Sequence, residues 1–323
     1  MTLFDLDRPV AVLRDCPVHV RTPLHRHRTK DRDVWLKDES ARMGLGSFKA
    51  LGGVYAVARL LQARLGRMPS PGDRHDVTFT CASAGNHGLS VAAGARLFGA
   101  RARVHLAETV DEAFADRLRA KGARVVRSGA TYDQSVTAAV ADAKATGAIH
   151  LADGSWPGYT EPPRLVMEGY TVMGEELRQQ FTDARTWPAH VYLQAGVGGL
   201  AAALAYVIRN RWPVQPEIVV VEPDAAPCLA ASHAAGHPVT VSGPESIMGR
   251  LDCKAPSLLA LEVLTQTVDR FVTVSDSAAE MAMNTASDLG HASTPSGCAG
   301  LAAMLRDNAG PALVILSEGT VCA

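Results

Sequence analysis

Long apolar runs, paired cysteines and an excess of charge of either sign are missing from this chain of 323 residues, and aromatic rings are few. No run of 18 apolar residues occurs, so no membrane-spanning helix and no membrane partner are expected. Aromatic residues make up only 5%, too few for a platform on which single-stranded nucleic acid stacks. Lys+Arg number 32 against Asp+Glu 33, a net charge of −1, so the basic field of a nucleic-acid binder is absent and no such partner is expected. Six cysteines (16, 81, 228, 253, 298 and 322) are scattered without a C-x-x-C pair. That excludes the usual zinc and disulfide frameworks and points to reduced thiols in the cytoplasm. Met1 to Arg14 alternates charged with apolar residues and lacks the apolar core of a secretory leader. No repeat and no low-complexity tract is present.

What is present is an ordinary globular composition, 47% apolar and 20% charged. At about 150 residues per domain the length suggests two domains. Short apolar runs read as strands at Asp33–Lys37, Val77–Cys81, Arg103–Leu106, Ala123–Val126, Ala148–Leu151, Val191–Gln194, Ile218–Glu222, Phe271–Val274 and Ala312–Leu316. Helical periodicity falls between them, at Lys49–Arg64, His87–Phe98, Asp111–Lys121, Tyr132–Thr146, Leu200–Arg209, Asp276–Ser287 and Gly297–Arg306. Such alternation builds mostly parallel sheets covered on both faces, with ligands at the carboxyl ends of the strands.

Three small-residue loops stand at strand-to-helix junctions: residues 44–49, 83–88 and 195–199. A fourth cluster, Ser317-Glu318-Gly319, follows the last strand. Gly196, Val197, Gly198, Gly199 and Leu200 open an Ala-rich helix, where backbone N–H groups and the helix dipole suit a phosphate. The same stretch matches G-x-G-x-x-A, with Glu222 21 residues beyond Ala201, so a nicotinamide-dependent oxidoreductase competes for it. Lys49 opens a helix, the wrong end of the dipole for a cation. That field favours the neutral amine that a Schiff-base lysine requires.

Lys37-Asp38-Glu39-Ser40, followed by Gly44-Leu45-Gly46-Ser47-Phe48-Lys49, resembles the tryptophan-synthase-β family, the fold type II enzymes that use pyridoxal 5'-phosphate. Ser83-Ala84-Gly85-Asn86-His87-Gly88 is similar to the asparagine loop of its threonine and serine dehydratase branch. The order lysine, asparagine loop, glycine loop and Ser317 matches the family over almost the whole chain and demotes the nicotinamide reading. Within the family, Asp153-Gly154-Ser155-Trp156-Pro157-Gly158, Gln194-Ala195-Gly196-Val197-Gly198, Val221-Glu222-Pro223-Asp224 and Ser317-Glu318-Gly319 most resemble the diaminopropionate ammonia-lyase branch.

The resemblance implies two three-layer α/β domains with the cofactor in the cleft between them. The larger would comprise residues 1–76 and 159–323, the smaller residues 77–158. It implies that Lys49 carries the cofactor and acts as base, with Phe48 beside it. Asn86 would meet the phenolic oxygen, residues 196–200 the phosphate and Ser317 the pyridine nitrogen. Main-chain groups from Ser83, Ala84, Gly85 and His87 would bind the substrate carboxylate, and Asp153 would be the second acid/base. A homodimer is implied as well, with no regulatory domain after Ser317.

Departures bear on specificity. Relatives that also accept D-diaminopropionate carry a second aspartate where this chain has Ala84, so action on the L-isomer is expected. Arg250 and Asp252 stand where the ammonia-lyases are small and neutral; Arg250 either pairs with Asp252 or touches substrate. Pro295 replaces a frequent glutamate. The histidines show no metal spacing. Glu222, a cation ligand in some dehydratases, lacks its acidic partner near Cys228, so no metal is expected. The reading is α,β-elimination from a small L-amino acid, giving a 2-oxo acid and ammonia, with diaminopropionate leading. A 3-hydroxy-amino-acid dehydratase (serine, threonine, hydroxyaspartate or phenylserine type) is the alternative. A non-catalytic cofactor-binding protein is the reading from a different class.

Overall fold

The computed structural model describes residues 3–29, 32–307 and 310–320. Ten strands are described: β1 (Leu24–Thr29), β2 (Arg32–Asp38), β3 (Thr78–Ala82), β4 (Arg101–Leu106), β5 (Ala123–Arg127), β6 (Ile149–His150), β7 (His190–Gln194), β8 (Glu217–Pro223), β9 (Arg270–Val274) and β10 (Ala312–Leu316). Among them run helices α1 (Arg8–Arg14), α2 (Lys49–Leu65), α3 (Asn86–Leu97), α4 (Glu112–Ala120), α5 (Tyr132–Thr146), α6 (Glu161–Ala184), α7 (Gly199–Arg211), α8 (Cys228–Ala235), α9 (Leu258–Thr267), α10 (Asp276–Asp288) and α11 (Pro295–Arg306).

The strands form two sheets. One has the order β1-β2-β10-β7-β8-β9, the other β5-β4-β3-β6. Every pairing is parallel except β1 with β2. The four-stranded sheet comes wholly from residues 78–150, and the six-stranded sheet from the chain on either side. The central strands β7, β8 and β10 are apolar and buried, as expected where helices cover both faces of a parallel sheet.

Strand β1 and helices α1, α6, α8 and α9 have no counterpart in the sequence reading. Strand β1 carries His25, Arg26, His27 and Arg28, a composition that hides its pairing with β2. Helix α6 runs for 24 residues and buries Glu168 and Glu176 amid its apolar positions, which blurs its period. It packs on α2 and α7. A β-carbon on Gly52 would stand 2.4 Å from Tyr170, so only glycine lets α2 come this close to α6.

Beneath the segment linking β2 to α2 lies a buried ion network. Arg42, only 1% exposed, donates from Nε and Nη2 to Glu39, both at 2.7 Å, and from Nη1 and Nη2 to Glu176, both at 2.7 Å. Lys37 Nζ donates to Glu176 at 2.7 Å, to Thr22 O at 2.9 Å and to Gln180 at 3.0 Å. Burial pushes Lys37 down, and Glu176 and Glu39 oppose it. Glu176 ends below the usual carboxylate range, because Arg42, His19 and Lys37 together outweigh its own burial. Four charges and their hydrogen bonds thus fix the stretch that delivers Lys49.

Glu222, at the end of β8, has a different surrounding. It is buried, and its carboxylate accepts from the N–H groups of Leu229 and Ala230 in the first turn of α8, at 2.7 and 2.8 Å. Both of its oxygens are thus taken by the start of α8. Burial dominates and pushes Glu222 from 4.5 up to about 7.

Two outcomes follow from these carboxylates. Glu176→Gln leaves Arg42 and Lys37 short of a buried partner and should cost about 3–5 kcal/mol in denaturant unfolding. Between pH 4.5 and 7 the folded state holds a proton on Glu222 that the unfolded chain has lost, so this group lowers stability as pH rises through that window. Glu222→Gln should therefore melt higher than the parent by a margin that grows from pH 5 to pH 8. A margin that shrinks with pH would contradict the assignment.

Candidate active site

Three adjacent parallel strands deliver three of the loops. The carboxyl end of β2 leads to Lys49, that of β10 to Ser317, and that of β7 to the glycine loop. In the other sheet β3 leads to Asn86, and its neighbour β6 leads to Asp153. Contacts join the five segments: Lys49 meets Asp153, Asn86 meets Glu318, and Ser257 links Val197 to Ser155. A short antiparallel bridge joins Ser47 to Glu318, with Phe48 N–H donating to Ser317 O at 3.1 Å and Gly319 N–H to Gly46 O at 3.0 Å.

Lys49 is the first residue of α2, and its ammonium donates to Asp153 Oδ2. Both side chains are about a quarter exposed, 25% and 24%. The helix terminus does not decide the charge of Lys49, as the sequence argument supposed. Burial works against the ammonium, but the Asp153 carboxylate outweighs it, and Lys49 is held above the usual lysine range. Conversely, burial pushes Asp153 up, while the charges of Lys49 and His87 pull it below the carboxylate range. His87 is itself pushed down by burial, and Lys49 is therefore the partner that holds Asp153 ionised at neutral pH.

The asparagine loop uses some of its groups internally. Ser83 N–H donates to His105 O at 3.3 Å, and Ser83 Oγ accepts from Gly85 N–H at 3.2 Å and Gly88 N–H at 3.0 Å. Ser83 and Gly85 therefore cannot offer their N–H groups to a carboxylate, as the sequence reading had them do. Among the described residues, the N–H groups of Ala84, Asn86 and His87 have no partner; they lie at or just before the start of α3, where N–H groups point outward. The His87 side chain is engaged behind the loop, with Nε2 2.8 Å from Leu151 O. Asn86 Nδ2 donates to Glu318 Oε2.

Glu318 lies in the cluster that the sequence singles out after the last strand, but its own role is visible only in the structure. It is 4% exposed and gathers Asn86, Thr294 Oγ1 at 2.6 Å and Arg250 Nε at 3.0 Å. Its main-chain oxygen accepts from Ser293 Oγ at 2.6 Å. Arg250 thus pairs across the site rather than with Asp252, which takes Lys254 at 2.5 Å. The Arg250 guanidinium also lies over the asparagine loop, 2.8 Å from where a β-carbon on Gly85 would sit.

The glycine loop starts α7. Gly198 adopts φ +100°, and a β-carbon there would stand 3.1 Å from Ala260 and Leu229. Among the described residues, the N–H groups of Gly198, Gly199 and Leu200 have no hydrogen-bond partner. Val197 O accepts from Ser257 N–H at 3.1 Å, and Ser257 Oγ lies 2.8 Å from Ser155 Oγ. This chain of contacts ties the loop to the Asp153 segment. Cys253 lies beside it, its Sγ 3.0 Å from the position of a β-carbon on Gly196, and burial pushes that thiol up to about 11. The described cysteines, Cys253 among them, are free; Cys322 lies outside the described residues.

The groups left over match a phosphorylated heteroaromatic aldehyde. Unpaired N–H groups at a helix start suit its phosphate. Among the described residues, Ser317 Oγ has no partner, and it is buried at the end of β10. Tyr170 Oη is likewise buried without a hydrogen bond among the described residues, on a ring packed edge-on against Phe48 at 4.9 Å and 6.0 Å from Lys49 Nζ. Tyr170 lies on α6 and bears no local motif, so only its position in space reveals it.

Comparison with known proteins agrees with this geometry. Diaminopropionate ammonia-lyase of Escherichia coli (strain K12) is 32% identical over 262 residues, covering 78% of this chain. The chain spans 66% of the length of that relative. A solved structure of the Escherichia coli ammonia-lyase in complex with an aminoacrylate-PLP azomethine reaction intermediate superposes with a TM-score of 0.88 at 27% identity, covering 99% of this chain and 90% of that one. A solved threonine deaminase from T.th. gives 0.84 at 27% identity, covering 99% of both chains. The family model described as pyridoxal-phosphate dependent enzyme matches residues 17–318. With that match across nearly the whole chain, and with a lysine, an asparagine loop, a glycine loop and Ser317 brought together in one region, the chain belongs to the pyridoxal-phosphate dependent enzymes.

Proposed function

We propose that the protein catalyses α,β-elimination from a small L-amino acid, releasing a 2-oxo acid and ammonia, and that L-2,3-diaminopropionate is its substrate. The observation that carries the reading is Asp153 hydrogen-bonded to Lys49 between the two sheets, in a chain similar to diaminopropionate ammonia-lyase. Asp153 and Asn86 belong to a small domain over residues 77–158, and the rest of the chain supplies Lys49, the glycine loop and Ser317. A cytoplasmic homodimer accompanies this reading.

Lys49 would hold pyridoxal phosphate covalently, with Gly196, Val197, Gly198, Gly199 and Leu200 around its phosphate, Phe48 and Asn86 beside its ring and Ser317 at its nitrogen. Bound, the cofactor supplies the electron sink that makes the α-proton removable. The N–H groups of Ala84, Asn86 and His87 orient the substrate carboxylate. Lys49 Nζ takes the α-proton, and Asp153 passes a proton to the departing β-amino group. Asp153 suits that task because burial drives it toward the neutral acid as soon as Lys49 loses its charge. Arg250, held over Gly85 by Glu318, bounds the space for the substrate side chain.

Dehydration of a 3-hydroxy-amino acid is the second reading. It is favoured by Ala84, which matches the pattern of the threonine dehydratase branch at that position, and by the likeness to threonine deaminase.

The test is 2-oxo acid release from a panel of L- and D-amino acids. Turnover of L-diaminopropionate well above serine and threonine, with the D-isomer poor, is the expected result; the reverse order would make the enzyme a dehydratase. Lys49→Ala should abolish turnover. Asp153→Asn should lower kcat by about 10²–10⁴-fold with little change in cofactor affinity, and an unchanged kcat would return Asp153 to a structural role. Arg250→Ala should alter the ratio of kcat/KM between substrates rather than scale all of them equally.

A further inference from the structure

Away from the cleft, β1 places His25 and His27 two residues apart, so their side chains leave the same face of the strand. Asp38 ends the neighbouring strand β2, and His291 follows α10. One donor atom from each of His25, Asp38 and His291 falls within 4.8 Å of the other two. His291 Nδ1 is 3.4 Å from Asp38 Oδ2. Two ligand atoms at about 2.1 Å from one tetrahedral ion would stand about 3.4 Å apart, so this pair already has the spacing of a shared cation. The His25 and His291 rings lie 4.6 Å apart between centroids. The other nitrogen of His291, Nε2, is 2.9 Å from His27 Nε2. An imidazole ligand normally has its second nitrogen hydrogen-bonded, which sets its tautomer and ring plane. His27 occupies that place.

We propose that His25, Asp38 and His291 bind one divalent first-row transition ion, with His27 orienting His291. Two imidazoles and one carboxylate are borderline ligands of the kind zinc takes, and three protein ligands leave a position for water. All three ligands are of intermediate burial. The sequence reading found no metal spacing because the ligands come from β1, the end of β2 and a turn some 250 residues later. The position of the site gives it a structural consequence. His291 opens the segment whose Ser293 and Thr294 hold Glu318, and Asp38 precedes Glu39, whose N–H donates to Leu316 O at 2.9 Å. An ion here would tie the Glu318 clamp to β2 without touching the reacting atoms; its ligands are positioning residues.

The experiment uses cofactor-loaded protein made without a polyhistidine tag, stripped with a chelator and titrated with Zn²⁺ by calorimetry and with Co²⁺ by visible absorption. One ion per chain at micromolar affinity or tighter is expected, with Co²⁺ ligand-field bands and a raised melting midpoint. His25→Ala and His291→Ala should remove binding. His27→Phe should weaken it about tenfold while the stoichiometry stays at one. Asp38→Asn, the smallest change, keeps the test valid if a histidine variant does not fold, and it should also lose the ion. Retained cofactor absorbance and an unchanged metal-free midpoint mark a folded variant. Absence of saturable binding would overturn the proposal. So would binding undiminished in folded His25→Ala, His291→Ala or Asp38→Asn, which would place the ion on other ligands.

Discussion

One buried carboxylate, Glu318, joins the two halves of the site. Its oxygens take Asn86 from the start of α3, Arg250 from the segment over the asparagine loop, and Thr294 from the start of α11. A carboxylate removed from water needs its lone pairs filled, and here they are filled by groups from three distant parts of the chain. The same residue bridges back to Ser47, next to the lysine segment. Asn86, Arg250 and the approach to Lys49 therefore share one anchor, and displacing it would loosen all three together.

The lysine segment is constrained from below as well as from the side. Arg42, Glu39, Lys37 and Glu176 form a buried network whose members are individually expensive to bury and mutually satisfied. Above it, Lys49 and Asp153 hold each other charged. Desolvation acts against both charges, and each is offset by the other. This makes Asp153 sensitive to the state of Lys49: remove the lysine charge and burial alone remains to set the carboxyl group. A proton can then move between the pair without any large motion.

Legibility from sequence followed the range of the interactions. Where neighbours along the chain decide the structure, the reading was close: Tyr132–Thr146 and Ala312–Leu316 have the ends read from periodicity, and Lys49 does open its helix. Helix α6 went unread because buried Glu168 and Glu176 interrupt its apolar face, and the partners of Glu176, Arg42 and Lys37, are evident only in space. Arg250 was weighed against Asp252, the acid two residues away, and the structure gives it Glu318 instead, 68 residues on. The dipole argument for Lys49 was sound as far as it went, but a carboxylate in direct contact outweighs the partial charge of a helix end.

The order of residues was enough for the alternation of strand and helix, the succession of the four chemical loops and, through the words those loops spell, the cofactor the family uses. Those features are local: glycine conformations, apolar period and motif spacing act over a few residues. Which polar groups are free and which are engaged was settled only by the folded arrangement. Ser83 and Gly85 turn inward, Ala84, Asn86 and His87 stay open, and Tyr170 reaches the cleft from a helix without a motif. His25, Asp38 and His291 become neighbours only once β1, β2 and the end of α10 are in place. Burial and ion pairing act across space, and the spacing of residues along the chain does not encode which partners will fill one another's hydrogen bonds.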